Sequence, residues 1–193
     1  MSPTNILQVY KQATEHDKIE GLKWYKEALS FCQELASIYG ITETVAAGVV
    51  AALSPTNRWE NNKIQAEQLI DMFVNGENLD NFKPSTYPVM RNKAIEIITK
   101  NRSIKTIQKT LNGPKVIEFF NSILQEDDCT VDGHAYNIWA GSYTTLKKVP
   151  GIGVKIRRKI KNDYRVIAKG ENIPVRDLQA ITWCTWRRIN NVV

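Results

Sequence analysis

The sequence predicts an all-α protein. Apolar residues recur at steps of three and four along most of the chain, and no strand-length alternating run bounded by turn signals stands out. Residues that start and stop helices also fall at the edges of these periodic stretches. Leu22, Tyr25, Leu29, Cys32, Ala36 and Tyr39 define one helix, with Gly40 placed to close it. Positions 45–53 form a short alanine-rich apolar run that reads as a buried helix. Trp59, Ala66, Ile70 and Phe73 carry the next, ending near Gly76. A helix over 86–100 follows, with Pro88 near its first turn, where a missing N–H costs little. Ser103 caps a short helix reaching Lys109, and Pro114 begins another with Val116, Ile117, Phe120, Ile123 and Leu124 on its apolar side. Asp132 is placed to cap a helix ending at Ala140. Ile156, Ile160, Tyr164 and Ile167 give a further stripe, and Pro174 starts a last helix with Leu178, Ile181 and Thr185 on one side. The expectation is nine or ten short helices, with loops at 75–84 and 142–153 and no internal repeat.

A length of 193 residues suits one domain, or two small lobes sharing a core. No apolar run approaches the roughly 18 residues of a membrane span. The first ten positions lack a basic stretch followed by an apolar one, so no signal peptide is expected. Cys32, Cys129 and Cys184 are odd in number and far apart, which argues for a reducing compartment and against a disulfide framework or a metal site. The expectation is a cytoplasmic monomer with no metal, no cofactor and no membrane association.

Net charge is +6, and it is concentrated. Nine basic residues fall between positions 147 and 169: Lys147, Lys148, Lys155, Arg157, Arg158, Lys159, Lys161, Arg165 and Lys169. Asp163 is the one acid among them, and the rest of the chain is slightly acidic. Such a cluster is the footprint of a polyanion partner or else a solvated helix face.

Several segments, in order, resemble the helix-hairpin-helix superfamily of base-excision DNA glycosylases related to endonuclease III. Val49-Val50-Ala51-Ala52-Leu53-Ser54-Pro55-Thr56, followed by positions 57–66, is similar to the family's apolar helix ending in Leu-Ser, its polar turn and its next helix. Pro55 stands near the position of the family's glutamine, which lies beside the extruded base, so the resemblance does not name the base. Arg91-Asn92-Lys93-Ala94-Ile95-Glu96-Ile97-Ile98 looks like the helix leading to the hairpin. Leu111-Asn112-Gly113-Pro114-Lys115-Val116 resembles the hairpin's end, where a Gly-x-Lys opens a helix. Asp132, in Val131-Asp132-Gly133-His134-Ala135, follows Lys115 at the family's spacing and looks like its Val-Asp-Thr-His-Val. The likeness covers roughly 46–188 and implies two helical lobes with a cleft between them. No iron–sulfur cysteine set follows, so this would be a cluster-free member.

The family's hairpin has two glycines, whereas the stretch 109–115 has only Gly113. A fuller hairpin string, Val149-Pro150-Gly151-Ile152-Gly153-Val154-Lys155, comes after the aspartate and opens the basic helix. Glycine lets backbone N–H groups approach a phosphate, so the phosphate-binding turn is at 109–115 or at 149–155.

The resemblance implies a DNA glycosylase acting on a damaged or modified base flipped out of double-stranded DNA. Asp132 and Lys115 are the catalytic candidates. A carboxylate stabilises an oxocarbenium-like sugar and helps deprotonate a nucleophile. A lysine in a helix's first turn opposes the macrodipole, and with partial burial its amine would be more readily neutral and able to attack C1′, giving lyase activity. The bland alternatives are a simple cap and a phosphate-binding lysine. Ser54, Asn57, Trp59, His134, Tyr136 and Gln179 are candidates for contact with the base. Gly113, Gly151, Gly153, Lys155, Arg157, Arg158, Lys159 and Lys161 are candidates for contact with DNA. Two other readings stand beside this one: an enzyme handling modified thymidine in hypermodified DNA of a phage-infected cell, and a non-catalytic DNA-binding module.

Overall fold

The structure, a computed structural model, describes residues 2–100 and 102–192. The described residues form ten α-helices and no strand. These are α1 (Pro3–Lys11), α2 (Glu15–Tyr39), α3 (Glu43–Leu53), α4 (Trp59–Val74), α5 (Pro88–Lys100), α6 (Ile104–Leu111), α7 (Pro114–Ile123), α8 (Gly133–Ala140), α9 (Val154–Glu171) and α10 (Val175–Ile189). The all-α expectation therefore holds. The chain divides into two compact units, Met1–Glu27 with Gln125–Val193, and Ala28–Leu124.

In the first unit α1 packs on α8, α9 and α10. The core includes Ile6, Ile138, Trp139, Ile160, Tyr164 and Leu178. Sequence periodicity did not reveal α1, which is nine residues long and buries only Ile6 and Val9. It is held by tertiary contact, as short helices must be. Asn5 donates to the Trp139 carbonyl at the end of α8 (2.9 Å). The expected apolar side of α10 is buried at Leu178, Ile181 and Thr185. Leu22, expected on the buried stripe of α2, is instead exposed. The smaller Gly21 is the contact residue beside it: a Cβ there would lie 2.5 Å from Ile181 Cα, so the two backbones touch.

The second unit is built around α3, which is buried from Val45 to Leu53 and contacts α4, α5, α6 and α7. A helix apolar all round needs neighbours all round. Thr42 caps it by accepting from the Val45 amide. The start and stop signals act as expected. Pro88 and Pro114 open α5 and α7, and Ser103 forms a capping box with Thr106 at α6. Gly40 and Gly76 take left-handed backbone just beyond α2 and α4. The two long loops contain short 3-10 turns, Leu79–Asn81 and Leu146–Lys148. Arg91 secures the first by donating to the carbonyls of Phe82 (2.7 Å) and Leu79 (2.8 Å).

None of the three cysteines is in a disulfide; Cys32 and Cys129 are buried and Cys184 is half-buried. Burial pushes the Cys32 thiol up to about 12 and the Cys184 thiol up to about 11. No single helix among the described residues is long and apolar enough to cross a membrane.

The contact at Gly21 generates a prediction. Alanine is the better helix former by about 1 kcal/mol, yet Gly21→Ala is expected to lower stability by about 1–3 kcal/mol, because its methyl meets backbone that cannot give way. A downward shift in the urea midpoint at unchanged slope checks this, and an upward shift would remove the close approach.

Candidate functional site

Asp132 lies in the first unit, at the end of a buried stretch outside any helix. Asp128, Cys129, Thr130 and Val131 are all buried. Asp132 is the N-cap of α8, and its Oδ1 accepts from the Ala135 amide at 2.9 Å. Its other oxygen makes no hydrogen bond to the described residues. The carboxylate is thus fixed through one oxygen and half-buried, with the second uncommitted.

The surroundings hold this position from three sides. Arg157 of α9 donates to the Val131 carbonyl at 2.9 Å, one residue before the cap. Leu146 and Val149 cover Gly133, where a Cβ would come within 2.7 Å of Leu146 Cδ2. Beneath lies Tyr164, fully buried, its hydroxyl 3.3 Å from that of Thr182. Burial pushes the Tyr164 phenol well above its ordinary value, and the Asp132 charge adds to the effect.

His134 stands edge-on to Trp183, with centroids 6.5 Å apart. Of two other candidates for base contact, Tyr136 is half-buried and Gln179 is turned inward. Tyr136 packs on the core, 6.0 Å from Trp139. Gln179 is buried, and its Oε1 lies 2.8 Å from the Tyr25 hydroxyl, which is also 3.0 Å from the Thr130 hydroxyl. A phenol has one proton and a carboxamide oxygen only accepts. The Tyr25 proton therefore goes to Gln179, and Thr130 donates to Tyr25. Gln179 is thus held from inside the fold, through Tyr25, beside the Thr130 segment that leads to Asp132.

The basic segment divides into two groups. Arg157 is committed to Val131, Lys161 pairs with the buried Asp128, and Arg165 lies 3.8 Å from the same carboxylate. Lys159 bonds Asp163 at 3.1 Å and lies over the Trp139 ring. Arg157, Lys159 and Lys161, expected to contact DNA, are thus tied into the fold by three acceptors that sequence periodicity did not reveal. Lys147, Lys148, Lys155, Arg158 and Lys169 are exposed and make no ion pair or hydrogen bond among the described residues. Four of these five lie within 147–158. Gly153 is the N-cap of α9 without a side-chain cap bond, and the first turn contains no acid. A Cβ at Gly151 or Gly153 would meet nothing within 4 Å, and neither glycine is left-handed. The fold itself does not require glycine at either position.

Lys115 lies in the second unit, in the first turn of α7. Asn112 takes the left-handed conformation at the end of α6, and Gly113 precedes Pro114. Asparagine does here what a second glycine would do. Lys93 donates to the Leu111 carbonyl at 2.6 Å, and Gln108 bonds Asn121 across the pair of helices. Lys115 is exposed, so the partial burial expected to favour a neutral amine is absent.

Ser54, Asn57 and Trp59 also belong to the second unit. Ser54 donates to the Ala51 carbonyl, and Asn57 donates to the Leu53 carbonyl and to Gln65. Trp59 stands edge-on to Phe31, with Lys63 over its ring. Between them Thr56 has φ +61, a strained conformation for a β-branched residue. Its hydroxyl bonds the Pro55 carbonyl, and Pro55 in turn accepts from Thr86.

Two further features escaped sequence reading. Asp177 is a buried carboxylate in the first turn of α10, and burial raises its pKa above the ordinary value despite Arg176 beside it. An open groove of about 420 Å³ in the first unit is lined by His16, Glu20, Trp24, Trp183 and Arg187, among others. Arg187 lies over Trp183 at 4.6 Å, and Trp24 tilts against it at 5.0 Å. No group of three or more metal-ligating side chains converges among the described residues.

The chain belongs to DUF7178, a family of unknown function, which it matches over residues 2–190. No curated protein and no solved structure matches it.

The division of the basic residues predicts a contrast. Arg157→Ala, which leaves a carbonyl without its charged donor, is expected to cost about 1.5–3 kcal/mol of stability. Arg158→Ala is expected to change it by less than about 0.5 kcal/mol. Chemical denaturation of the two variants checks this, and equal effects would overturn the division.

Proposed function

We propose that the chain is a DNA N-glycosylase of the helix-hairpin-helix type, acting on a modified or damaged base turned out of its stack. The observation that carries this reading is Asp132, held at the start of α8 with one oxygen uncommitted and linked through Arg157 to the helix whose outer end bears unpaired cations. The short turn joining α6 to α7, with Lys115 in the following helical turn, supports the same reading.

As the C1′–N bond breaks, its electron pair leaves with the base and positive charge grows on the sugar. The Asp132 carboxylate stabilises that charge. It also takes a proton from water as the water oxygen bonds to C1′. In the alternative route, the Lys115 ammonium first loses a proton, its nitrogen bonds to C1′, and the resulting imine permits strand cleavage by elimination. The exposure of Lys115 favours the water route. Lys147, Lys148, Lys155 and Arg158, with the uncapped amides of α9, supply phosphate contacts. The rebuilt turn at Pro55–Thr56, where the resembled family has its glutamine, favours an unusual base, and modified thymidine of hypermodified DNA is the second reading.

The test is a panel of duplexes carrying lesions and hypermodified bases. Asp132→Asn is expected to reduce base release by about 10²–10³-fold or more while leaving DNA affinity intact. Full activity in that variant would overturn the assignment. Borohydride trapping that disappears in Lys115→Ala would select the amine route, whereas no trapping in the parent protein would select water.

The unpaired cations give a second prediction. Replacing Lys147, Lys148, Lys155 and Arg158 together by alanine is expected to flatten the salt dependence of DNA binding by about one unit for each phosphate that no longer has a cation beside it. An unchanged slope would make the segment a solvated face.

A further inference from the structure

The segment that bears the unpaired cations also bears apolar side chains that the fold leaves in solvent. Tyr143 is 51% exposed, Leu146 54% and Val154 80%. Their backbone is nevertheless anchored. The buried Asn137 donates to the Thr144 carbonyl at 2.6 Å and accepts the Ser142 amide at its own carbonyl. Tyr143 is therefore held between two tethered residues. Leu146 opens the 3-10 turn and rests on Gly133, next to Asp132. Val154 is the first residue of α9. Lys147, Lys148, Lys155 and Arg158 are interleaved with these apolar groups in sequence.

A continuous duplex turns phosphates and sugars outward and keeps its base faces stacked. The cations would find partners on it, but Tyr143, Leu146 and Val154 would not. Unstacked bases offer apolar faces beside a charged backbone, the pairing this surface matches, and stacking of that kind tolerates any sequence. An anionic bilayer also combines charge with apolar matter, but surfaces that lie on bilayers present a continuous apolar helix face. The continuous apolar face of α9, through Ile160, Tyr164 and Ala168, is buried in the core.

We infer that residues 143–158 form a docking surface for a single DNA strand with unstacked bases. Tyr143 stacks on a base, Leu146 and Val154 contact its neighbours, and the four cations take the phosphates. This inference rests on the DNA reading above and narrows it, making an unpaired strand the preferred form of the substrate.

The experiment is fluorescence anisotropy with labelled oligothymidylate and with a fully matched duplex of the same length and salt. The single strand is expected to bind at least about tenfold tighter. Tyr143→Ala and Val154→Ser are each expected to weaken single-strand binding by about three- to tenfold and to leave duplex binding unchanged. Both residues are exposed, so the variants should fold, and circular dichroism checks that they do. Leu146→Ser provides a third, independent variant. If the duplex binds as tightly as the single strand, or the three variants leave single-strand affinity unchanged, the docking inference fails while the DNA reading stands. If neither nucleic acid binds, both fail. If phosphatidylserine vesicles bind with the same dependence on Tyr143 and Val154 while oligothymidylate does not, the surface is a lipid surface and the inference is overturned.

Discussion

Residues 128–131 are buried in the first unit outside any helix and with no neighbouring strand, so their polar groups must be satisfied one by one. The arrangement of that unit follows from this constraint. Asp128 accepts the Cys129 amide and takes Lys161, with Arg165 near. Thr130 finds the Tyr25 hydroxyl, the Val131 carbonyl finds Arg157, and Asp132 satisfies itself as a helix cap. An unsatisfied buried group costs about 1–3 kcal/mol, so losing two or three of these bonds would be a large fraction of a domain's stability. The position of the uncommitted Asp132 oxygen therefore depends on residues from α2, α9 and α10.

The same requirement sorts the charges of α9. Its inward and flanking cations neutralise Asp128 and Asp163, Lys169 is left in the last turn, and the other cations left over stand at its outer start and in the preceding turn. There they stand against the helix macrodipole, which exposed cations at an N-terminus oppose at about 0.3–1 kcal/mol each. The fold gains nothing from that placement, nor from glycine at positions 151 and 153. At this surface local stability and local composition disagree.

Most of the helical framework was legible because its signals are local. Pro88, Pro114, Ser103, Gly40 and Asp132 act through the chain immediately around them, and they mark the helix ends where the sequence predicts. The fates of individual polar residues were not legible, because they depend on contacts between distant positions. Tyr25 meets Gln179 across 154 positions and Arg157 meets Val131 across 26. Periodicity reports which face is apolar, but it does not report which cation on the polar face has an acid waiting. For the same reason the sequence does not show that Gln179 is bonded to Tyr25 or that Tyr136 packs beside Trp139. The short α1 was missed because two buried residues make too brief a pattern.

Two of the thiols make the protein a natural recorder of its own opening. Cys32 lies in the second unit and Cys129 in the first, and both are fully buried. A protonated, covered thiol is almost inert to alkylation, so reaction waits on local unfolding. The two modification rates would then report the opening free energies of the two units separately, in a native sample and without any added label site.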